Sequence, residues 1–330
     1  MTIFLTGATG FVGSAVLRRL LDADREVRVL ARPGGDRRNI DGLRCEIIEG
    51  DLVDSASYKY GLKGCEAVFH VAADYRLWAP DAAKMHRINI DGTRDLFRLA
   101  SEMGAKRIVY TSSVATLGLN ADGTPADEDT PSVLDDMIGT YKRSKFCAEE
   151  EVQRLVAEEG IPAITVNPSA PIGPRDLKPT PTGRIIVDAA SGKMPAYVDT
   201  GLNFVHVEDV ADGHLKAFEK GEVGDRYILG GENITLLQIL TEICAYVGRK
   251  PPAIKLPQAA LLPIAYVAEG LSRLTGNWEP FVTVDGVKMS TKRMYFSSKK
   301  AEESLGYKAR PAKEAVADAI DWYRNNGYLK

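Results

Sequence analysis

Three glycines near the start of the chain restrict its possible folds more than any other feature. An apolar segment, Thr2–Thr6, runs directly into a turn with the spacing Gly-x-x-Gly-x-x-Gly, formed by Gly7, Gly10 and Gly13. Glycine at these points allows a tight bend, a close approach of the backbone to a pyrophosphate, and close packing of the next helix on the strand. The amino terminus of that helix attracts phosphate groups. Because the turn lies between a strand and an amphipathic helix, it predicts a dinucleotide site. The predicted contacts are Gly7, Thr9, Gly10, Phe11 and Val12.

Short apolar segments alternate with longer helical patterns through the first half of the chain. Their length and their content of Val, Ile and Phe are typical of strands buried on both faces. The alternation predicts a Rossmann-type α/β fold, a doubly wound parallel sheet with right-handed crossovers. The predicted strands are Thr2–Thr6, Glu26–Ala31, Arg44–Ile48, Ala67–Val71, Arg107–Thr111 and Ala163–Asn167. The predicted helices are Gly10–Ala23, Asp54–Leu62, Asp81–Met103 and Met137–Glu159.

After Asn167 the composition changes, because prolines crowd a segment that can be neither continuous helix nor central strand. We predict that residues 1–167 form the dinucleotide-binding domain and that residues 202–230 return to it through a strand, a helix and a further strand. Residues 168–201 and 231–330 would then form a smaller, mostly helical substrate-binding region.

The charge and cysteine content exclude several classes of protein. A net charge of −3 argues against a general nucleic-acid binder, which normally carries a basic face. The four cysteines are widely separated and form no Cys-x-x-Cys, so neither a zinc site nor a disulfide framework is predicted. The four histidines are scattered, and we assign no metal ligand. No secretory signal is visible, and we expect a cytoplasmic protein.

The longest apolar segment, Leu256–Leu274, contains two prolines and two charged residues. It is too short and too interrupted to span a bilayer. Two interpretations stay open: a helix packed on the body of the protein, and an amphipathic helix in weak contact with a membrane surface.

The residues after the second predicted strand indicate which nicotinamide cofactor is used. An acidic residue there would bind the free ribose hydroxyl, whereas an arginine would accept a 2′-phosphate. The chain has Ala31-Arg32-Pro33, followed by Arg37 and Arg38. We therefore favour NADP(H), with Arg32 as the phosphate contact and Arg37 or Arg38 assisting. NAD(H) stays possible if these are solvated loop arginines.

Asp51 and Leu52 follow the third predicted strand, at the edge of the sheet where adenine would lie. Asp51 could accept a hydrogen bond from the adenine amine. Its alternative role is to cap the following helix.

Tyr141 and Lys145 lie four residues apart in a predicted helix and therefore share one face. A free phenol ionises near pH ~10, and a neighbouring ammonium lowers that pKa. Such a pair can exchange a proton with a substrate oxygen. The spacing is also common on exposed helix faces.

The motifs TGATGFVG, EGDL and Tyr141-x-x-x-Lys145 resemble those of the extended short-chain dehydrogenase/reductase superfamily. Within it the chain resembles the dihydroflavonol-reductase-like branch, and most closely the hopanoid-associated sugar epimerases. This closer resemblance lies in residues 68–80, 110–118, 137–150, 167–203 and 230–235.

The resemblance implies a catalytic group of Ser113, Tyr141 and Lys145, with Ser112 the less suitable serine. Asn89 matches a helix asparagine that supports a proton-relay water, or else it satisfies backbone groups. The resemblance further implies a homodimer through the helices Asp81–Met103 and Met137–Glu159. The remaining cofactor contacts that it implies are Ala72 and Ala73, in the wall of the cleft, and Asn167, Pro168 and Ser169, near the nicotinamide.

The same resemblance implies hydride transfer to or from a carbonyl or carbinol carbon. A reductase is favoured, because Leu202-Asn203-Phe204 stands where nucleotide-sugar epimerases often carry Arg-Asp-Phe. An epimerase with retained cofactor, active in hopanoid lipid biosynthesis, is the alternative. A catalytically silent NADP(H)-binding protein is a third, although such proteins typically lose the Tyr or the Lys. Aromatic and apolar pocket walls would suit a small hydrophobic or sugar-like substrate. The predicted substrate contacts are Tyr75, Trp78, Met137, Thr180, Arg184 and Tyr197.

Overall fold

The structure, a computed structural model, describes residues 1–76, 81–276, 280 and 282–329. Its strands, in chain order, are β1 (Thr2–Thr6), β2 (Glu26–Ala31), β3 (Glu46–Glu49), β4 (Ala67–His70), β5 (Arg107–Thr111), β6 (Ala163–Pro168), β7 (Ala170–Ile172), β8 (Ala196–Val198), β9 (Gly201–His206), β10 (Arg226–Leu229), β11 (Glu232–Thr235), β12 (Ile254–Leu256) and β13 (Arg293–Met294).

The α-helices, in the same order, are α1 (Phe11–Asp22), α2 (Ser55–Tyr58), α3 (Ala82–His86), α4 (Gly92–Glu102), α5 (Gly139–Glu159), α6 (Pro181–Ala190), α7 (Val207–Lys220), α8 (Leu236–Tyr246), α9 (Gln258–Thr275), α10 (Val284–Ser290), α11 (Lys299–Leu305) and α12 (Ala312–Asn325). A π-helical turn, Arg87–Asp91, joins α3 to α4. The predicted helix Asp81–Met103 is thus three consecutive helical pieces.

Seven parallel strands of the described chain form the main sheet, in the order β3-β2-β1-β4-β5-β6-β10. Successive side chains of a strand point to opposite faces. Accordingly Ile3 and Leu5 of β1 belong to one core, together with residues of α1 and α7. Phe4 belongs to the other core, with residues of α4 and α5. The predicted doubly wound α/β fold is confirmed.

A smaller region covers the carboxyl side of this sheet. The short strand β9 pairs with β7, β11 and β13, and β8 pairs with β12. Helices α6, α8 and α12 pack around a separate apolar core that includes Ile186, Ile239 and Ile320. The region is mostly helical, as predicted.

Residues 202–230 are predicted to return to the dinucleotide-binding domain, and only the last of their elements, β10, joins the main sheet. β9 lies in the small sheet, whereas α7 packs on α1, and β10 pairs with β6. An apolar strand such as Phe204–His206 can be buried in either sheet, so its pattern alone does not decide between them. The division into a cofactor part and a substrate part stays a prediction.

Helix α9 occupies most of the predicted apolar segment Leu256–Leu274. Ala265 and Ala268 are buried against α10, while Ile264, Val267 and Leu271 are exposed on the outer side. Among the helices that the structure describes, none is long and apolar enough to cross a membrane.

Candidate active site

The glycine turn forms a close-fitting cradle at the carboxyl end of β1. Gly7 has φ +78°, and a Cβ placed on it would lie 2.6 Å from the backbone nitrogen of Ala72. A Cβ on Gly13 would lie 2.1 Å from the carbonyl oxygen of Gly7. Helix α1 begins without a side-chain cap and without an acidic residue in its first turn. Its amino terminus therefore presents unpaired N–H groups and a positive dipole end, which fits the phosphates of a dinucleotide.

Asn39 supports this turn through hydrogen bonds to its backbone carbonyl groups. The sequence did not indicate this residue. The side chain is buried, and its Nδ2 lies 3.2 Å from the carbonyl oxygen of Thr9 and 3.3 Å from that of Arg175. Arg175 belongs to the segment that follows β7 and has φ +74°. Since the partners are up to 136 residues apart, no local pattern indicates this contact.

The three arginines after β2 have different surroundings. Arg32 is exposed and, within the described residues, its guanidinium makes no hydrogen bond or ion pair, so it is available to a ligand. Arg37 pairs with Glu49 of β3, and Arg38 forms a two-point ion pair with Asp36. Arg37 would have to leave Glu49 to assist a phosphate contact.

At the end of β3, the Oδ1 of Asp51 accepts a hydrogen bond from the backbone nitrogen of Val53 at 3.1 Å. The carboxylate thus stabilises the turn before α2, but it does not cap this helix, whose N-cap residue is Asp54. Its other oxygen makes no contact among the described residues. The Leu52 side chain is buried against Gly92, so a ligand can contact mainly its backbone.

The predicted catalytic residues meet at the carboxyl end of β5. Ser113 begins the turn after this strand, where its Oγ accepts the backbone N–H of Ala115 at 3.1 Å. Tyr141 and Lys145 come from the first turns of α5, and the Tyr141 phenol lies near enough to the Ser113 hydroxyl to be influenced by it. Lys145 is buried, and its Nζ donates to Tyr110 Oη at 3.1 Å and to the carbonyl of Thr111 at 2.8 Å.

The electrostatics of the pair differ in part from the sequence expectation. Burial raises the pKa of the Tyr141 phenol, and the nearby Ser113 hydroxyl opposes this. The expectation that Lys145 lowers the Tyr141 pKa is wrong for this geometry, because the ammonium is directed at Tyr110 and Thr111. Burial also lowers the pKa of Lys145 to about 8, with the Glu149 carboxylate opposing it. Burial thus disfavours the charged form of both groups, the phenolate of Tyr141 and the ammonium of Lys145.

Asn89 satisfies backbone groups, the second of the two roles considered for it. Its Oδ1 accepts the N–H of Asp74 at 2.8 Å, and its Nδ2 donates to the Asp74 carbonyl at 2.9 Å and to Ser144 Oγ at 3.0 Å. It thereby fixes the loop that follows Ala72 and Ala73 to helix α5. Those two alanines are half-buried beside the glycine turn, and Ala72 N–H donates to Thr6 Oγ1 at 3.2 Å.

The carboxyl end of β6 and the residue after it contain buried polar atoms that have no protein partner in the described chain. They are Asn167 Oδ1 and Ser169 Oγ, on either side of Pro168. Buried polar groups are nearly always hydrogen-bonded, so these atoms suit a site that receives a polar ligand. This fits the predicted nicotinamide end of the cofactor.

The predicted substrate contacts are spread over several elements. Tyr75 is exposed beyond β4, and Met137 is buried just ahead of α5. Thr180 caps α6, with its Oγ1 also 2.8 Å from the buried carboxylate of Asp176, so its hydroxyl is already engaged. Arg184 is exposed on α6, and Tyr197 lies in β8, partly packed on the small core. Trp78 lies outside the described residues.

Fold and site together define a dinucleotide-dependent enzyme with a Ser–Tyr–Lys group at the end of a parallel sheet. The model of the NAD dependent epimerase/dehydratase family matches residues 3–230, and the chain belongs to this family, part of the extended short-chain dehydrogenase/reductase superfamily. Members related to this chain are reductases, dehydratases and epimerases, and the predicted enzyme class is confirmed.

Three proteins are described here for their similarity to this chain. A protein of Synechocystis sp., provisionally named dihydroflavonol 4-reductase, is 44% identical over 331 residues, covering 99% of this chain and 96% of its own. Sterol demethylase protein B of Methylococcus capsulatus is 33% identical over 331 residues, and the match covers 100% of both chains. The crystal structure of gox2253 has a TM-score of 0.90 and 54% identity, with 100% of this chain and 99% of that chain covered.

Proposed function

We propose that the protein is an NADP(H)-dependent reductase acting on a carbonyl carbon of a small hydrophobic or sugar-like substrate. The observation that carries the proposal is the convergence of Ser113, Tyr141 and the buried Lys145 at the sheet edge that also holds the glycine turn. Catalytic groups of open α/β sheets lie at this edge, outside the carboxyl ends of the strands.

Each side chain has a defined part in the reaction. The bound cofactor supplies or accepts the hydride. Tyr141 donates a proton to the carbonyl oxygen during reduction and accepts one in the reverse direction. Ser113 holds that oxygen by a hydrogen bond, which favours the transition state because charge develops there. Lys145 is held at the carboxyl end of β5 by Tyr110 and Thr111, where it would anchor ribose hydroxyl groups of the cofactor.

Reduction is favoured over epimerisation by the environment of Asn203, which stands where Arg-Asp-Phe epimerases carry their aspartate. Its Nδ2 lies 2.8 Å from Asn233 Oδ1, and its Oδ1 accepts the N–H of Gly231 at 2.7 Å. The side chain is buried and fully engaged within the small sheet, so it offers no contact to a nucleotide diphosphate. The names of the two curated relatives, a reductase and a sterol demethylase protein, also suit an apolar carbonyl compound.

The second candidate is an epimerase with retained NAD(P), active in hopanoid lipid biosynthesis. It is favoured by the family match over residues 3–230 and by the resemblance to hopanoid-associated sugar epimerases. The two candidates differ in what happens to the cofactor. A reductase must release it after each turnover, whereas an epimerase keeps it.

Mass spectrometry of cofactor released from purified protein, combined with NADPH oxidation over a panel of carbonyl compounds, separates the candidates. We expect mostly empty protein and oxidation of NADPH by an apolar ketone or aldehyde. Tyr141→Phe should lower turnover about a hundredfold or more, in line with general acid–base catalysis, while NADPH affinity stays within a few-fold. Tyr60→Phe, at an exposed position, is the matched control. Full activity of Tyr141→Phe would refute the assignment, and stoichiometric bound NAD(P) would favour the epimerase.

We further propose a cytoplasmic enzyme that touches a membrane surface weakly through α9. The outer side of this helix exposes Ile264, Tyr266, Val267, Leu271 and Leu274, the last at 85%. Such an uncharged face suits the interfacial region of a bilayer. In flotation with anionic vesicles, wild type should bind more than the double variant Leu271→Ser/Leu274→Ser, and equal binding would contradict the contact.

The homodimer implied by the resemblance would use α4 and α5. Their outer faces carry a cluster of ion pairs among Arg98, Arg154, Glu151, Glu158 and Glu159. Light scattering coupled to gel filtration should give about twice the chain mass of 36.0 kDa, and a value equal to the chain mass would contradict the dimer.

A further inference from the structure

A buried carboxylate lies one helical turn beyond Lys145. Glu149 is 3% exposed, and its side chain accepts hydrogen bonds from three different elements. Oε2 lies 2.8 Å from Thr116 Oγ1 and 2.9 Å from Asn167 Nδ2, and Oε1 lies 3.1 Å from the guanidinium of Arg226 on β10. A buried charge is stable only with such partners.

The same partners reach the predicted catalytic serine. Asn167 Nδ2 lies 3.1 Å from the carbonyl oxygen of Ser113, and Thr116 Oγ1 lies 2.9 Å from it. Asn167 has two amide protons and can donate to Glu149 and to the Ser113 carbonyl together, whereas the single Thr116 hydroxyl proton goes to one of the two oxygens. Glu149 therefore fixes Asn167, the donor that holds the Ser113 backbone. Asn167 is 0% exposed, so it has little freedom to adopt another position once these contacts are made.

Glu149 is also the carboxylate neighbour of Lys145 on the same helix. Among the described residues, the ammonium hydrogen-bonds two neutral oxygens, those of Tyr110 and Thr111. Residues four apart on a helix lie side by side, and the Glu149 carboxylate, whose direct ion pair is with Arg226, raises the Lys145 pKa against the effect of burial.

We propose that Glu149 is a positioning residue of this site, aligning Ser113 through Asn167 and serving as the buried counter-charge of Lys145. The proposal deepens the proposed function and rests on it for its catalytic consequence. The effect of Glu149 on the Lys145 pKa can be measured without a substrate.

Two substitutions separate charge from alignment. Glu149→Gln keeps the size and one acceptor oxygen but removes the charge, whereas Glu149→Asp keeps the charge and withdraws it by one methylene. Glu150→Gln, at an exposed position of α5, removes the same charge from the same helix and is the matched control. The pKa of Lys145 is followed by NMR of protein labelled with ¹³C at the lysine ε-carbon, assigned with Lys145→Arg.

In Glu149→Gln the Lys145 pKa should fall by about half a unit or more, because the opposing charge is lost. Glu149→Asp should stay closer to the wild type in pKa, and Glu150→Gln should leave it unchanged. If a carbonyl substrate is found, Glu149→Gln should also shift the high-pH loss of turnover to lower pH by the same amount, and Glu149→Asp should lower turnover with no such shift.

An unchanged Lys145 pKa in folded Glu149→Gln, or an equal fall in Glu150→Gln, would overturn the proposal. If the carbonyl panel gives no hydride transfer, the proposed function fails, while the NMR comparison still decides the role of Glu149. If Glu149→Gln does not fold, the comparison of Glu149→Asp with Asn167→Ala decides the alignment part. Both should lower turnover at constant Lys145 pKa, and unchanged turnover in both would overturn it.

Discussion

Arg32 and Arg38 stand close together after β2, yet only one of them has a free guanidinium. The Arg38 guanidinium is held by the Asp36 carboxylate through Nε and Nη2, while the Arg32 guanidinium has no partner among the described residues. We predict that Arg32→Ala lowers NADPH affinity about tenfold or more, because a charge-assisted contact to the 2′-phosphate is lost. NADH affinity should change little. Fluorescence titration with both cofactors measures the difference.

Arg38→Ala is the matched control, since it removes the same charge from the same loop at a paired position. It should weaken NADPH binding much less than Arg32→Ala. Equal losses for the two variants would assign the effect to general loop charge, and an NADH preference of the wild type would contradict the choice of NADP(H).

Some parts of the site could be predicted from local spacing, and others could not. Tyr141 and Lys145 are four apart on one helix, so their proximity follows from helix geometry alone. Ser113 was identified through the family resemblance. Asn39 and Arg226 act through partners far away in the sequence, at separations of up to 136 and 98 residues, and no pattern of period 2 or 3.6 encodes such contacts.

Helix α1 packs so closely on the glycine turn that its third residue has no room for a side chain. A Cβ at Gly13 would overlap backbone atoms of Gly7 and Ala8, at 2.1 Å and 2.9 Å. Backbone cannot move aside as a flexible side chain can. We predict that Gly13→Ala costs about 1–3 kcal/mol of unfolding free energy, as overpacking generally does, and weakens cofactor binding because the turn shifts. Urea unfolding and NADPH titration measure the two effects.

Gly270→Ala in α9 is the control, because a Cβ there meets nothing within 4 Å. It should be neutral or slightly stabilising, since alanine favours the helix. A Gly13→Ala protein as stable as wild type, with unchanged NADPH affinity, would contradict the close fit.

The elements themselves were largely predictable, and their partners less so. The strands β1, β2 and β5 begin and end where the apolar runs do. Helix α5 begins at Gly139, two residues later than predicted, after a short 3₁₀ turn that buries Met137. The placement of β9 in the small sheet depends on pairing with β7, β11 and β13. These strands are distant from β9 in the sequence and too short to show a recognisable strand pattern.

Two histidines buried between the sheet and its helices tie the stability of the whole molecule to pH. In His70, Nε2 lies 2.8 Å from Thr93 Oγ1, whose proton goes to the Asn89 carbonyl, so Nε2 donates and Nδ1 accepts from Thr6. In His214, Nδ1 donates to the Val210 carbonyl and Nε2 accepts from Thr111. Both rings are therefore neutral, each using one nitrogen as an acceptor.

Burial lowers the pKa of His70 to about 3 and that of His214 to about 4. An unfolded histidine has a pKa near ~6.5. As the pH falls below this value, the unfolded chain therefore binds protons that the folded chain does not bind. The stability contribution is fully present above pH ~6.5 and is lost on acidification toward the folded pKa values. Between pH ~7 and pH ~5 the loss should be about 2 kcal/mol for each histidine.

His214→Gln removes one of the two titrating rings, so the fall in unfolding free energy between pH ~7 and pH ~5 should shrink by about 2 kcal/mol relative to wild type. His86→Gln, on the half-exposed face of α3, should leave the fall unchanged. Urea unfolding of the three proteins at both pH values gives the comparison, and because each protein serves as its own reference, a general destabilisation by the substitution cancels. An undiminished fall in His214→Gln would mean that this ring becomes protonated without unfolding, and that the sheet edge behind Thr111 opens to water before the molecule as a whole does.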